Sequence, residues 1–142
     1  MYISSEGIVF YTVKRGSFKA ADFVEYLQAL IDNCPAVRDE DVCLVMDNAR
    51  IHHARSATEF LHEKNIKHIF LPPYSPELNP IENCFGVLKA RYRRRGVVHS
   101  EGQMKRRIKN VVEEMNEDLD VLPFYDHMRG FVEMAMNRQP FN

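Results

Sequence analysis

The chain has 142 residues, 45% hydrophobic and 27% charged, which suits one ordinary globular domain and excludes a disordered or collagen-like chain. No apolar run approaches the roughly 20 residues that a bilayer crossing requires and no signal segment opens the chain, so a soluble, unsecreted protein with no membrane partner is expected. The formal net charge is −1, from 19 basic and 20 acidic residues, so total charge announces no polyanionic partner.

Taken in chain order, Tyr2–Ser4 and Ile8–Val13 flank a Glu6-Gly7 turn and read as a hairpin rich in β-branched and aromatic residues. Phe23, Leu27, Leu30 and Ile31 then recur at helical spacing, and Pro35 closes that helix. Val42–Met46 is a short continuous apolar run, the pattern of a strand buried on both faces, and it stops at Asp47. Ala57, Phe60 and Leu61 mark a second helix and Ile66–Leu71 a further strand. After the turn-rich Pro72–Pro76, a third helix runs from Pro80 to about Arg95, with Asn79 as N-cap and Ile81, Phe85, Leu88 and Tyr92 on one stripe. Helices around Gln103–Met115 and Phe124–Met136 complete an α/β chain, a mixed sheet flanked by helices. No repeat or linker interrupts residues 1–142, read as a single domain with C-terminal helices over 100–138.

Charge is unevenly spread. Between Phe85 and Lys109 stand Lys89, Arg91, Arg93, Arg94, Arg95, Lys105, Arg106, Arg107 and Lys109 against Glu101 alone. Glu113, Glu114, Glu117, Asp118 and Asp120 follow directly. Such a run is ordinarily a solvated helix face, and it suggests phosphate contact only beside a phosphate-handling site. Cys34, Cys43 and Cys84 fit neither a disulfide framework nor a zinc site, which points to a reducing compartment, and Cys84 reads as a small buried helix residue.

Two carboxylates stand out. Asp47 ends a strand and Glu82 opens the helix after the next strand, with 34 residues between them. Ligands of open α/β sheets gather outside the carboxyl ends of the strands, so this topology can bring both acids to one crevice, where a cation such as Mg²⁺ would offset their repulsion. Each acid also has a structural reading: Asp47-Asn48 as a turn, and Glu82 as the N3 partner of Asn79 in a capping box. Spacing alone leaves both readings open.

The strings Leu44-Val45-Met46-Asp47-Asn48-Ala49-Arg50-Ile51-His52 and Leu71-Pro72-Pro73-Tyr74-Ser75-Pro76-Glu77-Leu78-Asn79-Pro80-Ile81-Glu82-Asn83, followed by Leu88-Lys89, closely resemble the DDE-type transposases of the mariner and related insertion-sequence group. The resemblance centres on residues 42–95 and implies a ribonuclease H-like fold, two Mg²⁺ or Mn²⁺ ions held by a carboxylate triad, and cutting and joining of transposon-end and target DNA. It assigns Asp47 to the second catalytic aspartate and Glu82 to the third acid, both as metal ligands. The family's first aspartate has no counterpart here, so a chain lacking the first strand, and inactive alone, is expected. Lys89, Arg93, Arg94 and Arg95 would meet DNA phosphates, with Asn48, His52 and Asn79 in support. His53 has no motif behind it. The alternative function is a non-catalytic DNA-binding or interaction module derived from such an enzyme. The apolar stripe Met128, Phe131, Val132 and Met136 is expected to pack on the core, with a homodimer contact as its other use. A DNA substrate implies the nucleus in a eukaryotic host, and otherwise the cytoplasm or nucleoid.

Overall fold

A computed structural model describes residues 1–137, so the last residue of the predicted 100–138 helical region, Arg138, lies outside the described residues. The chain divides into two units, Phe10–Ser75 and a second made of Met1–Val9 with the residues from Pro76 onward.

In the Phe10–Ser75 unit, helix α1 (Ala20–Asn33) buries Phe23, Leu27, Leu30 and Ile31, the stripe that the periodicity predicts. Its first turn is fixed by Asp22, which accepts the Lys19 N–H at 2.7 Å and pairs with Lys14. The Lys14 hydrogen bond, followed by the Lys19 amide, holds the Asp22 carboxyl below its ordinary value. Cys34 and Pro35 end the helix, and the 3-10 turn Pro35–Arg38 packs Val37 inward.

Strand β3 (Leu44–Met46) pairs in parallel with β4 (His68–Phe70), in the register Leu44–His68, Val45–Ile69 and Met46–Phe70. A crossover through helix α2 (Arg55–Glu63) makes that parallel pairing possible. The burial expected for β3 needs correction. Leu44 and Met46 are buried, but Val45 and its neighbour Ile69 are half exposed, because side chains alternate across a strand and this two-stranded sheet is covered on one face. A continuous apolar run cannot distinguish that arrangement from a doubly covered strand.

Helix α2 ends in a paired-bond cap. Asn65, at φ +54°, donates to the His62 carbonyl at 3.0 Å and Ile66 to the Leu61 carbonyl at 2.9 Å, while Ile66 and Leu61 are both buried. The cap turns the chain directly into β4.

In the second unit, β1 (Tyr2–Ser4) and β2 (Gly7–Phe10) pair as the predicted two-stranded sheet, although β2 stops short of Val13. Asn116 acts there as a surrogate strand. Its amide accepts the Ile8 N–H at 2.9 Å and donates to the Ile8 carbonyl at 2.9 Å. Gly7 is required beside it: its φ is +129°, and a Cβ would lie 2.9 Å from the Asn116 Oδ1.

Helices α3 (Pro80–Arg93), α4 (Glu101–Asp118) and α5 (Leu122–Met136) follow, with α3 in contact with both α4 and α5. Cys84, Val111, Val112, Met115 and Val121 are buried, Cys84 completely, as expected for a small core residue. The α5 stripe is less buried than its periodicity predicts. Met128 and Phe131 are intermediate, whereas Val132 and Met136 are exposed, since α5 meets its neighbours along only part of its surface. The architecture is mixed α/β. No helix among the described residues is long and apolar enough to cross a membrane.

Candidate functional site

Asp47 directly follows β3, so the strand fixes its backbone, and the Leu71 N–H bonds to the Met46 carbonyl at 2.7 Å beside it. The segment beyond folds back on itself. One carboxylate oxygen of Asp47, Oδ1, accepts the Ala49 N–H at 3.0 Å and lies 2.8 Å from His52 Nδ1. His52 is itself fixed, with its ring 4.4 Å from that of Phe23 and its N–H bonded to the Ala49 carbonyl at 2.9 Å. Asn48 is held in the same way five positions on, by His53, whose ring lies 4.0 Å from that of Phe70. Of the two expected supports, His52 touches the Asp47 carboxylate, whereas Asn48 is its chain neighbour and bonds to His53 instead. His53 enters through Asn48, and its signal in the sequence is that Asp47/His52 and Asn48/His53 repeat one five-residue interval.

The result is a carboxylate with one oxygen occupied and the other, Oδ2, without a hydrogen-bond partner among the described residues. Its side chain is 48% exposed. That is the disposition of a ligand, although the Ala49 bond alone would also serve a turn.

Glu82 sits in the first turn of α3, exposed, and its carboxylate has no hydrogen-bond or ion-pair partner among the described residues. The capping box with Asn79 does not form. Asn79 has N-cap backbone geometry, but its side chain caps nothing and its own N–H bonds to the Pro76 carbonyl at 3.0 Å. Pro80 at the first helical position supplies the start instead. A glutamate there is favoured electrostatically by the helix N-terminus, which leaves its oxygens free for other use. Both acids present hard oxygens of the type that Mg²⁺ and Mn²⁺ take. Among the described residues, no group of three or more His, Cys, Asp or Glu side chains is arranged to hold a metal ion.

The basic run resolves into two kinds of residue. Arg91 grips Asp118 at 2.8 and 3.0 Å, Arg95 pairs with Glu114, Lys105 with Glu101 at 2.7 Å and Lys109 with Glu113 at 3.7 Å. The acidic cluster thus neutralises much of the basic one within the helices. Lys89, Arg93, Arg94, Arg106 and Arg107 have no carboxylate partner among the described residues, and Lys89 lies 6.0 Å over the Phe85 ring. Of the four predicted phosphate contacts, Lys89, Arg93 and Arg94 are exposed and uncompensated, while Arg95 is engaged.

The family profile of the DDE superfamily endonucleases matches residues 1–105, about three-quarters of the chain, taking in both acids. The chain belongs to that family. Among its relatives is the transposable element Tc3 transposase of Caenorhabditis elegans, 41% identical over 49 residues, which are 34% of this chain and 15% of that protein. The chain therefore spans a small part of that relative's length. Profile and relative together make this a DDE-type transposase domain, as its motif strings imply.

Proposed function

We propose that this DDE endonuclease domain is of ribonuclease H-like build, acts on transposon-end and target DNA, and uses Asp47 and Glu82 as ligands for Mg²⁺ or Mn²⁺. The observation that carries the reading is the Asp47 carboxylate at the end of β3, with Oδ1 held by Ala49 and His52 and Oδ2 open. The reading requires Glu82 to meet Asp47 at one crevice, the arrangement that strand ends of open α/β sheets favour. A pair of such ions, when bound, stabilises the attacking and leaving oxygens of an in-line phosphoryl displacement.

The protein's own part is positioning. His52 and the Ala49 N–H fix the rotamer of Asp47, so that ordering is complete before a ligand arrives. His53 holds Asn48 beside it, Asn79 gives the turn into α3, and Lys89, Arg93 and Arg94 meet DNA phosphates. Strands β1 and β2 contain no aspartate, and Glu6 lies exposed in the turn between them. Two carboxylates do not fix the spacing of two ions, so this polypeptide by itself neither nicks nor joins DNA.

The test is a Mn²⁺ titration followed by electron paramagnetic resonance, alongside plasmid nicking. Asp47→Asn and Glu82→Gln are each expected to weaken Mn²⁺ binding by about tenfold or more. Wild-type Mn²⁺ affinity in either folded variant would refute a shared site, and nicking that disappears with Asp47→Asn would refute the inactivity. The uncompensated arginines favour a second reading, a non-catalytic DNA-binding module. It requires DNA affinity that is indifferent to metal and to both neutral variants. Action on DNA places the protein in the nucleus of a eukaryotic host, or otherwise in the cytoplasm or nucleoid.

A further inference from the structure

The end of α3 and the start of α4 border an open depression outside the carboxylate site. Gln103, Arg106, Arg107 and Asn110 lie at i, i+3, i+4 and i+7 on one face of α4, and they line a hollow of about 420 Å³ together with Arg95 and His99. The hollow is largely open to solvent, so it offers a surface along which a ligand can lie and not a cleft that encloses one. No acidic side chain lines it.

Its wall is braced rather than loose. Arg107 donates to the Gly96 carbonyl and, at 3.3 Å, to the Val97 carbonyl, while its guanidinium carbon lies 5.2 Å from the Tyr92 ring centroid. Gly96 makes the turn at φ +77°. Ser100 caps α4 by accepting the Gln103 N–H at 3.2 Å, and the Gln103 Oε1 accepts the His99 N–H at 2.9 Å. The Gln103 amide therefore spends its acceptor on the loop and keeps its two N–H donors. Arg106 and Asn110 have no side-chain partner among the described residues, and Arg107 keeps its charge because it binds only carbonyls.

We propose that this hollow is a phosphate-backbone site for duplex DNA, with Arg106 the principal contact and Gln103 and Asn110 as neutral donors. Arg95 is already taken by Glu114, so Arg106 and Arg107 carry the positive charge, and with the free amide donors they select an anion. A polymer fits better than a small anion because Arg93 and Arg94, also uncompensated, extend the positive charge past the rim along the chain. The proposal rests on the reading that the domain acts on DNA, and it adds a contact separate from the metal ligands.

The experiment uses the 142-residue chain in EDTA with a fluorescein-labelled duplex of arbitrary sequence, read by anisotropy from 50 to 300 mM NaCl. Losing one phosphate contact lowers the salt slope by about 0.9, which is roughly an eightfold loss of affinity at 0.1 M salt relative to 1 M. Arg106→Ala is expected to show that loss, Arg106→Glu a larger one, and Asn110→Ala a smaller one with an unchanged slope. Arg55→Ala, whose side chain pairs with Glu59 in the other unit, serves as a control with no change. Unchanged slope and affinity in folded Arg106→Glu would overturn the proposal. So would Arg106-dependent binding of inorganic phosphate that leaves duplex binding untouched. Because metal is absent, failure of the Asp47/Glu82 site and failure of the hollow are read separately.

Discussion

Replacing His52 tests how the Asp47 carboxylate is prepared. Oδ1 has two partners, the Ala49 N–H at 3.0 Å and His52 Nδ1 at 2.8 Å. His52→Ala removes the second and leaves the first, so the carboxylate is half released. Loss of a group that orients a metal ligand typically costs 10- to 100-fold in metal affinity, or about 1.4 to 2.7 kcal/mol. With the Ala49 bond intact, the expected loss lies near the lower end, about 10- to 30-fold in Mn²⁺ affinity. The substitution also removes a ring packed on Phe23, so folding must be monitored. His52→Asn separates the two effects: its amide can place a donor near the position of Nδ1 without restoring the ring contact. Mn²⁺ titration should therefore show recovery in His52→Asn, although its thermal stability stays lowered. If folded His52→Ala binds Mn²⁺ within twofold of wild type while Asp47→Asn does not bind, His52 has no positioning role.

Asn116→Ala removes both bonds to the Ile8 backbone and should cost about 1–3 kcal/mol, seen as a lower urea midpoint at constant slope; a change below about 0.5 kcal/mol would count against the surrogate-strand role. At the α2 cap, Asn65→Gly should stabilise by about 0.5 kcal/mol and Asn65→Val should destabilise by roughly 1–2 kcal/mol, because only the first suits a positive φ. A thiol reagent should modify Cys43 and Cys34 in the native protein but Cys84 only after unfolding. Burial raises the Cys84 thiol, and burial with smaller effects of Cys84 and Tyr2 raises the Tyr125 phenol. A folded value above the unfolded one gives stability that is full below the unfolded value and is lost as pH climbs through the folded one. Melting temperature should thus begin to fall as pH passes the ordinary thiol value of 9.0, and Cys84→Ala should remove the earliest part of that fall.

The order of helices and strands was written in short-range pattern, which is why so much of it is legible. The α1 stripe, the stop at Asp47, Pro80 at the start of α3 and the buried Cys84 each depend on residues a few positions apart. The motif strings also carried the family, since they keep residue types at set intervals. What the sequence could not decide depends on where distant backbone goes. The apolar run of β3 did not say that Val45 and Ile69 would share an open face. Asn79 and Glu82 have capping-box spacing, yet the Asn79 N–H goes to Pro76. Among the cations, Arg91 and Arg95 are neutralised by acids 27 and 19 residues away, whereas Arg106 is not, and no local count separates them. A charge or a polar group is silenced by whichever partner the fold brings within hydrogen-bonding distance, so tertiary structure alone determines which of these groups remain available to a ligand.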